Sequence, residues 1–189
     1  MADSALTEEV DRLVARLARL AAATGRSIGV AESLTGGQLA AALSAAEGAG
    51  DWFRGGIVAY HPEVKYELLG APRGPVVTPE TASAMARSAR GLLGADCTAA
   101  LTGVGGPGPD EGKPAGTVYL ATAGAGSTAA GSTAANSTGA DGTGTDGVGD
   151  TGVVTEVEGL HFDGDPIEVI AKSIEAALTA LIRRLESDH

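Results

Sequence analysis

Cysteine is nearly absent from this sequence, which excludes two kinds of stabilising cross-link. The single cysteine, Cys97, has no partner for an internal disulfide, and one thiolate does not make a cysteine-based metal site. A chain of this kind suits a reducing compartment, so we expect a cytoplasmic protein. The first residues also lack the basic start and apolar core of a secretory signal peptide.

Basic residues are also scarce, since 13 Lys and Arg stand against 24 Asp and Glu, for a formal net charge of −11. Stable binding to nucleic acid or to an anionic membrane surface needs a basic footprint, so we expect neither. No apolar run of this sequence approaches about 18 residues, the length that suggests a membrane-spanning helix. Small anions remain compatible ligands, because they respond to a local site rather than to net charge.

Glycine, by contrast, is abundant, at 29 of 189 residues, roughly twice its usual share. Many of these glycines lie in residues 124–152, where Ser, Thr, Ala and Asp make up nearly all of the rest. Such a stretch buries too little apolar surface to offset its ordering entropy. We therefore predict one domain spanning residues 1–189, with a flexible low-complexity insert at 124–152.

Apolar periodicity predicts helices that alternate with strands through most of the chain. Helical spacing is found at 6–20, 38–43, 62–69, 79–93 and 166–185, and short apolar runs typical of strands at 27–31, 55–60, 97–101, 115–121 and 153–162. The last two strands follow each other without a helix between them, which favours antiparallel pairing. The predicted fold class is α/β, a three-layer α/β/α sandwich around a mixed, mostly parallel sheet of about five strands.

The first candidate site segment follows the first predicted strand, at residues 31–37 (Ala-Glu-Ser-Leu-Thr-Gly-Gly). In open α/β sheets, ligands bind beyond the carboxyl ends of strands, and a helix N-terminus offers unpaired N–H groups to an anion. Two glycines let an oxyanion approach the backbone closely, and Ser33 is a potential nucleophile. The alternative is a tight turn in which Thr35 caps the following helix.

The second segment, residues 60–65 (Tyr-His-Pro-Glu-Val-Lys), follows the next predicted strand. Lys65 is one of only three lysines, and it lies about one helical turn beyond the strand end. It is a candidate general base if burial lowers its pKa, or a point charge that holds a phosphate. Tyr60 could donate its hydroxyl to a developing charge. The alternative is a solvated lysine beside Glu63 and a tyrosine at the sheet edge.

The third segment, residues 102–114, is rich in glycine and proline and also follows a strand. Its exposed backbone N–H groups could form an anion nest, with Lys113 reaching a phosphate. It is not a P-loop, because no Gly-Lys-Ser/Thr precedes a helix, and a hairpin-like surface loop is the alternative. We expect the three segments to converge at one sheet edge, which favours a small phosphorylated ligand, a serine-centred reaction and no metal.

Together these segments resemble the CinA carboxy-terminal domain family, whose characterised members are nicotinamide-nucleotide amidases. The residues that carry the resemblance are 31–37, 52–60 with Lys65, 102–107 and 113–118, within a match over about 8–123 and 153–185. The resemblance implies an α/β/α sandwich and a homo-oligomer. It also implies hydrolysis of the carboxamide of nicotinamide mononucleotide, a pyridine nucleotide, to nicotinate mononucleotide and ammonia, without a cofactor.

The resemblance further assigns roles to individual residues. It implies a nucleophile at Ser33, an activating base at Lys65 and a hydroxyl partner at Tyr60. The residues that it places in substrate binding are Glu32, Thr35, Gly36, Gly37, Thr102, Gly103, Gly105, Gly106 and Lys113. Neutral Lys65 would take the Ser33 proton and return it to ammonia, while N–H groups near Gly36 hold the oxyanion. An acyl-enzyme and a base-activated water both fit this arrangement.

The chain departs from the family pattern in three places. His61-Pro62 stands where members usually have a polar residue, the connection 71–77 is shorter than usual, and Pro166 replaces the Arg of a Gly-Asp-Arg triplet. We expect a stand-alone domain without the pyrophosphatase-like domain that precedes it in two-domain members. The departures keep open a second function, a noncatalytic nucleotide-binding or protein-interaction module connected with competence or the DNA damage response.

Overall fold

A computed structural model describes residues 2–125 and 152–187 of the chain. The helices in these ranges are α1 (Ala2–Thr24), α2 (Gln38–Ser44), α3 (Ala49–Trp52), α4 (Pro62–Glu67), α5 (Pro79–Leu93) and α6 (Pro166–Ser187). The strands are β1 (Ile28–Glu32), β2 (Phe53–Val58), β3 (Cys97–Gly103), β4 (Thr117–Ala125) and β5 (Val153–His161). Residues 126–151, the bulk of the predicted insert, lie outside the described residues.

The five strands form one sheet in the order β2-β1-β3-β4-β5. β1 pairs parallel with both β2 and β3, whereas β4 pairs antiparallel with both β3 and β5. Four strands therefore run in one direction and β4 opposes them, which confirms the predicted mixed, mostly parallel sheet. The antiparallel pairing of β4 with β5 is confirmed as well. The four-residue helix α3 was not predicted, because one turn is too short to show an apolar period.

Helices cover both faces of the sheet, so the three-layer prediction is confirmed. α1, α2, α3 and α6 pack on one face, where Leu17, Leu43 and Leu181 belong to one apolar cluster with Val30 of β1. α5 packs on the other face, against a second cluster in which alanines predominate. Within the described residues, no helix is long and apolar enough to cross a membrane.

Arg184, near the end of α6, joins that helix to the ends of β4 and β5. Its Nη2 donates hydrogen bonds to the carbonyls of Gly124 (3.1 Å), Ala125 (3.4 Å) and Val154 (2.7 Å). Its Nη1 forms an ion pair with Glu156 at 3.2 Å, and only 5% of the side chain is exposed. One buried guanidinium thus holds together the two strand ends from which residues 126–151 emerge.

Arg184→Met is expected to lower the free energy of unfolding by about 2–3 kcal/mol, because it leaves buried carbonyl oxygens without donors. Urea denaturation followed by circular dichroism measures the change. Arg183→Met is the matched control: Arg183 is 65% exposed and pairs at 3.4 Å with Glu158, so its loss should cost less than about 1 kcal/mol. Equal losses for the two variants would contradict the role assigned to Arg184.

Candidate functional site

The three candidate segments meet at one edge of the sheet, as the sequence predicts. β2, β1 and β3 are adjacent and parallel, so the chain leaves all three at the same edge. The Ser33 N–H donates to the Leu101 carbonyl of β3 at 3.1 Å, and the Ala59 N–H donates to the Glu32 carbonyl of β1 at 2.7 Å. These hydrogen bonds hold the first segment between the other two.

Lys65 is fully buried at this edge, with 1% of its surface exposed. α4 begins at Pro62, where the His61 side chain accepts a hydrogen bond from the Glu63 N–H, and this start lets Lys65 lean back over the end of β2. The Lys65 Nζ donates to the carbonyls of Ala59 at 2.7 Å and Tyr60 at 3.0 Å. Burial lowers the pKa of Lys65 below its ordinary value, and the negative charge of Glu111 opposes that shift.

Ser33 is the first residue after β1, and 8% of its surface is exposed. Its carbonyl accepts a hydrogen bond from the Gly36 N–H at 3.1 Å, which closes a tight turn. Among the described residues, no hydrogen bond joins the Ser33 hydroxyl to Lys65 or to Tyr60. The structure therefore brings Ser33 and Lys65 to the same edge of the sheet without a hydrogen bond between their side chains.

Glu32, predicted to bind substrate, instead binds the start of α2. Its side chain is fully buried, and its Oε2 accepts hydrogen bonds from the N–H groups of Gly37 (3.0 Å) and Leu39 (3.1 Å). Its Oε1 accepts from the Ala40 N–H at 2.8 Å. The structure thus gives Glu32 a role in the fold, because a carboxylate with three backbone donors already fills the anion position of this helix, and substrate binding by Glu32 stays a prediction.

The predicted roles of Gly36 and Gly37 are corrected for the same reason. Their N–H groups donate to Ser33 and Glu32, so neither is available to an oxyanion. Both glycines have positive φ, 58° and 97°, which the tight turn requires. The backbone donors that remain free in this loop belong to the two residues before Gly36, because the N–H groups of Leu34 and Thr35 make no hydrogen bond to another described residue.

The Thr35 side chain neither caps α2 nor finds another hydrogen-bond partner in the described structure. The N-cap of α2 is Gly37, with no side-chain cap. The Thr35 hydroxyl is completely buried and carries no hydrogen bond. A buried hydroxyl without a partner is costly, so Thr35 remains a candidate for a polar contact that forms when ligand binds.

Tyr60 contributes its backbone carbonyl to the site rather than its ring. Its carbonyl accepts a hydrogen bond from Lys65, whereas the residue as a whole is 72% exposed. Its hydroxyl makes no hydrogen bond within the described structure, so the predicted hydroxyl partner is not found there. Among the described strands β2 lies at the edge of the sheet, so none of them covers the ring that follows it.

Two of the predicted binding residues on the third segment serve the fold. The buried Thr102 hydroxyl donates to the Val76 carbonyl at 2.8 Å. A Cβ at Gly103 would lie 2.5 Å from the Thr117 carbonyl oxygen, so glycine is required there by the approach of β4. The structure thus accounts for both residues by the fold, and their place beside a nucleotide stays a prediction.

Gly105, Gly106 and Lys113 remain open to a ligand. The N–H groups of Gly105, Gly106 and Gly108 make no hydrogen bond to another described residue, and Gly106 is exposed with φ 97°. The Lys113 ammonium lies 6.0 Å from the centre of the Tyr119 ring. The anion nest predicted for the third segment is thus compatible with the free N–H groups of Gly105, Gly106 and Gly108.

Glu111, in this same segment, was not predicted as a site residue. Asp110 and Lys113 exchange two backbone hydrogen bonds, at 3.0 and 2.8 Å, around a turn in which Glu111 has φ 47° and Gly112 φ 73°. The Glu111 Oε2 accepts hydrogen bonds from the N–H groups of Val76 (2.7 Å) and Val77 (2.8 Å). A hairpin-like surface loop was the alternative left open by the sequence for this segment, but nothing in the sequence indicated a partner about 35 residues away.

Fold and site together define an α/β domain with a buried lysine, a serine and free backbone donors at the carboxyl edge of three parallel strands. Comparison with known families gives a match to the CinA C-terminal domain over residues 10–141. The chain belongs to this family, as the sequence motifs suggested.

Relatives and solved structures agree with this assignment. A CinA-like protein from Frankia casuarinae is 47% identical over 107 residues, which are 54% of this chain and 25% of that protein. One from Gloeobacter violaceus is 45% identical over 125 residues, 62% of this chain and 29% of that protein. This chain thus spans between a quarter and a third of the length of these relatives.

Crystal structures of CinA-superfamily proteins share the whole fold. One from Klebsiella pneumoniae superposes with a TM-score of 0.75 at 28% identity, covering 94% of this chain and 98% of that one. A competence/damage inducible protein from Agrobacterium tumefaciens has a TM-score of 0.73 at 26% identity, covering 94% and 96%. The names of both proteins refer to competence and damage rather than to a substrate.

Proposed function

We propose that this domain hydrolyses the carboxamide of nicotinamide mononucleotide to nicotinate mononucleotide and ammonia. The observation that supports this most is the fully buried Lys65, bonded to two carbonyls at the edge where Ser33 lies. A neutral amine has two N–H groups and one lone pair. Because the carbonyls of Ala59 and Tyr60 accept the two N–H groups, the lone pair is left to receive a proton.

In the proposed reaction the Ser33 Oγ attacks the carboxamide carbon, and its proton passes to the Lys65 Nζ. The N–H groups of Leu34 and Thr35 stabilise the oxygen that becomes negative. The C–N bond then breaks, and Lys65 returns the proton to the leaving ammonia. A water molecule, deprotonated by Lys65, hydrolyses the acyl-enzyme to the carboxylate and frees Ser33. Direct attack by the activated water is the other route to the same products.

The proposed binding mode uses the donors that the fold leaves free. The phosphate lies against the N–H groups of Gly105, Gly106 and Gly108, with Lys113 as the cation. The exposed Tyr60 ring offers its face to the cationic pyridinium ring. As further proposals, the protein acts in the cytoplasm as a homo-oligomer and binds neither nucleic acid nor membranes.

The direct test is to incubate the purified chain with nicotinamide mononucleotide and measure ammonia and nicotinate mononucleotide together. Equal molar amounts of both products support the proposal. Free nicotinamide has the same carboxamide without the ribose phosphate, and it should react much more slowly if the phosphate is bound as proposed. Absence of both products at high enzyme concentration would overturn the amidase proposal.

A noncatalytic nucleotide-binding module is the second candidate, and two observations favour it. Ser33 and Lys65 share no hydrogen bond, and the first turn of α6 carries Pro166 where the family pattern has an arginine. The Pro166 ring lies beside Gly106, where a Cβ would be 3.6 Å from it. Calorimetry that detects binding of nicotinamide mononucleotide without product formation would support this candidate instead.

A further inference from the structure

A cavity of about 790 Å³ lies between α1, α2 and α3, at the amino-terminal ends of β1 and β2. It is lined by Gly25 and Arg26, just before β1, and by Trp52, just before β2. Lys65 lies beyond the other end of β2, a strand of 6 residues that spans roughly 20 Å. The cavity is therefore separate from the candidate amidase site.

Small side chains keep this cavity open. The walls that α1 and α2 contribute are mainly alanines, which do not reach across the space between the helices. These alanines are Ala15, Ala18, Ala22, Ala42, Ala45 and Ala46. Sites for small molecules are concave, mostly apolar and about 300–1,000 Å³ in volume. The size and the lining of the cavity therefore suit a ligand with an apolar body.

Trp52 lines the cavity although only 4% of its surface is exposed. Its indole N–H makes no hydrogen bond to another described residue, whereas a buried indole N–H usually has a partner. The nitrogen is also not fully enclosed by the fold, so it opens to the cavity that the ring lines. Trp52 thus offers an unpaired donor to an acceptor on a ligand.

Charged groups of both signs line the same cavity. The Arg19 guanidinium makes no hydrogen bond or ion pair with another described residue. The carboxylates of Asp11, Glu47 and Asp51 have no such partner within the described residues either. Arg19 follows Asp11 by eight residues on α1, which is about 12 Å along the helix axis. The cavity therefore has separate positions for an anionic and a cationic group.

We propose that this cavity binds a small zwitterion with an aromatic or other apolar body, of the kind that an amino acid with an apolar side chain represents. Its carboxylate is bound by Arg19 and the Trp52 N–H, and its ammonium group by Glu47 and Asp51. The apolar body packs on the alanines. A ligand with a single charge leaves one of these sets of groups without a partner, so the zwitterion is favoured.

The test uses the fluorescence of Trp52, which is the only tryptophan of the sequence, so its emission reports on this cavity. The full chain is titrated with free phenylalanine, with phenethylamine, which lacks the carboxylate, and with phenylpropionate, which lacks the ammonium group. Phenylalanine should give a saturable change and bind about tenfold more tightly than either singly charged compound. Equal affinities for the three compounds would overturn the proposed zwitterion.

Charge variants locate the two ends of the ligand. Arg19→Gln should weaken phenylalanine binding by about tenfold and leave phenethylamine binding unchanged. Arg16→Gln is the matched control on the same helix, because Arg16 pairs with Glu186 at 2.6 Å and is not part of the cavity lining. Combined Glu47→Gln and Asp51→Asn substitutions should weaken binding of phenylalanine but not of phenylpropionate.

A variant that fills the cavity gives an independent measurement. Ala22→Phe should abolish the fluorescence change with phenylalanine, since the new ring occupies the space of the ligand. Ala23→Phe is its control, because Ala23 is the next exposed residue of α1 and does not line the cavity. Absence of a saturable change in the wild type would overturn the inference. So would an emission that depends on protein concentration alone, because a second copy would then cover the cavity.

Discussion

Ser33→Ala and Lys65→Met are each expected to lower kcat for nicotinamide mononucleotide by about 10³-fold or more. In the proposed reaction Ser33 supplies the attacking oxygen, and an alanine has none. Lys65 would supply the lone pair that takes the proton, and methionine fills a similar buried volume without it. The measurement is ammonia release under saturating substrate, with the free energy of unfolding of each variant recorded alongside.

A variant that carries both substitutions tests whether Ser33 and Lys65 act together. If Ser33 and Lys65 act as one unit, removing both should cost little more than removing either one. Ser44→Ala and Lys172→Met are the controls, because Ser44 is exposed on α2 and Lys172 donates to the Asp163 carbonyl at the surface. If Ser33→Ala and Lys65→Met both keep the turnover of the wild type, the reaction uses other groups.

Glu32→Ala is expected to lower the free energy of unfolding by about 3–5 kcal/mol. The substitution leaves the N–H groups of Gly37, Leu39 and Ala40 without acceptors in a buried part of the structure. Because this turn also positions Ser33, activity should fall together with stability. Urea denaturation measures the loss, and Glu32→Gln, which keeps one acceptor oxygen, should lie between the wild type and alanine.

Glu47→Ala is the control for this experiment. Glu47 is an exposed carboxylate that follows α2, and its removal should change the stability by less than about 0.5 kcal/mol. If Glu32→Ala is as stable as the wild type, Glu32 does not stabilise the start of α2. Its carboxylate would then be available to a ligand.

The sequence by itself was sufficient for the architecture. Apolar periods of about 3.6 and short apolar runs follow from which side chains must be buried, so they located five of the six described helices and all five strands. Their alternation predicted the layers, and the missing helix before β5 predicted its antiparallel pairing. The convergence of the three segments also followed, because neighbouring parallel strands end at the same edge.

The roles of single polar residues were decided only by tertiary structure. Glu32, Thr102 and Glu111 carry the same chemical groups whether they meet a ligand or a backbone amide, and sequence spacing does not distinguish the two. Glu32 binds amides of a nearby helix, whereas Thr102 and Glu111 reach residues 76–77, which are distant in sequence. A polar group can meet a ligand only if the fold has not already given it a hydrogen-bond partner. Those partners come together only when the helices pack on the sheet.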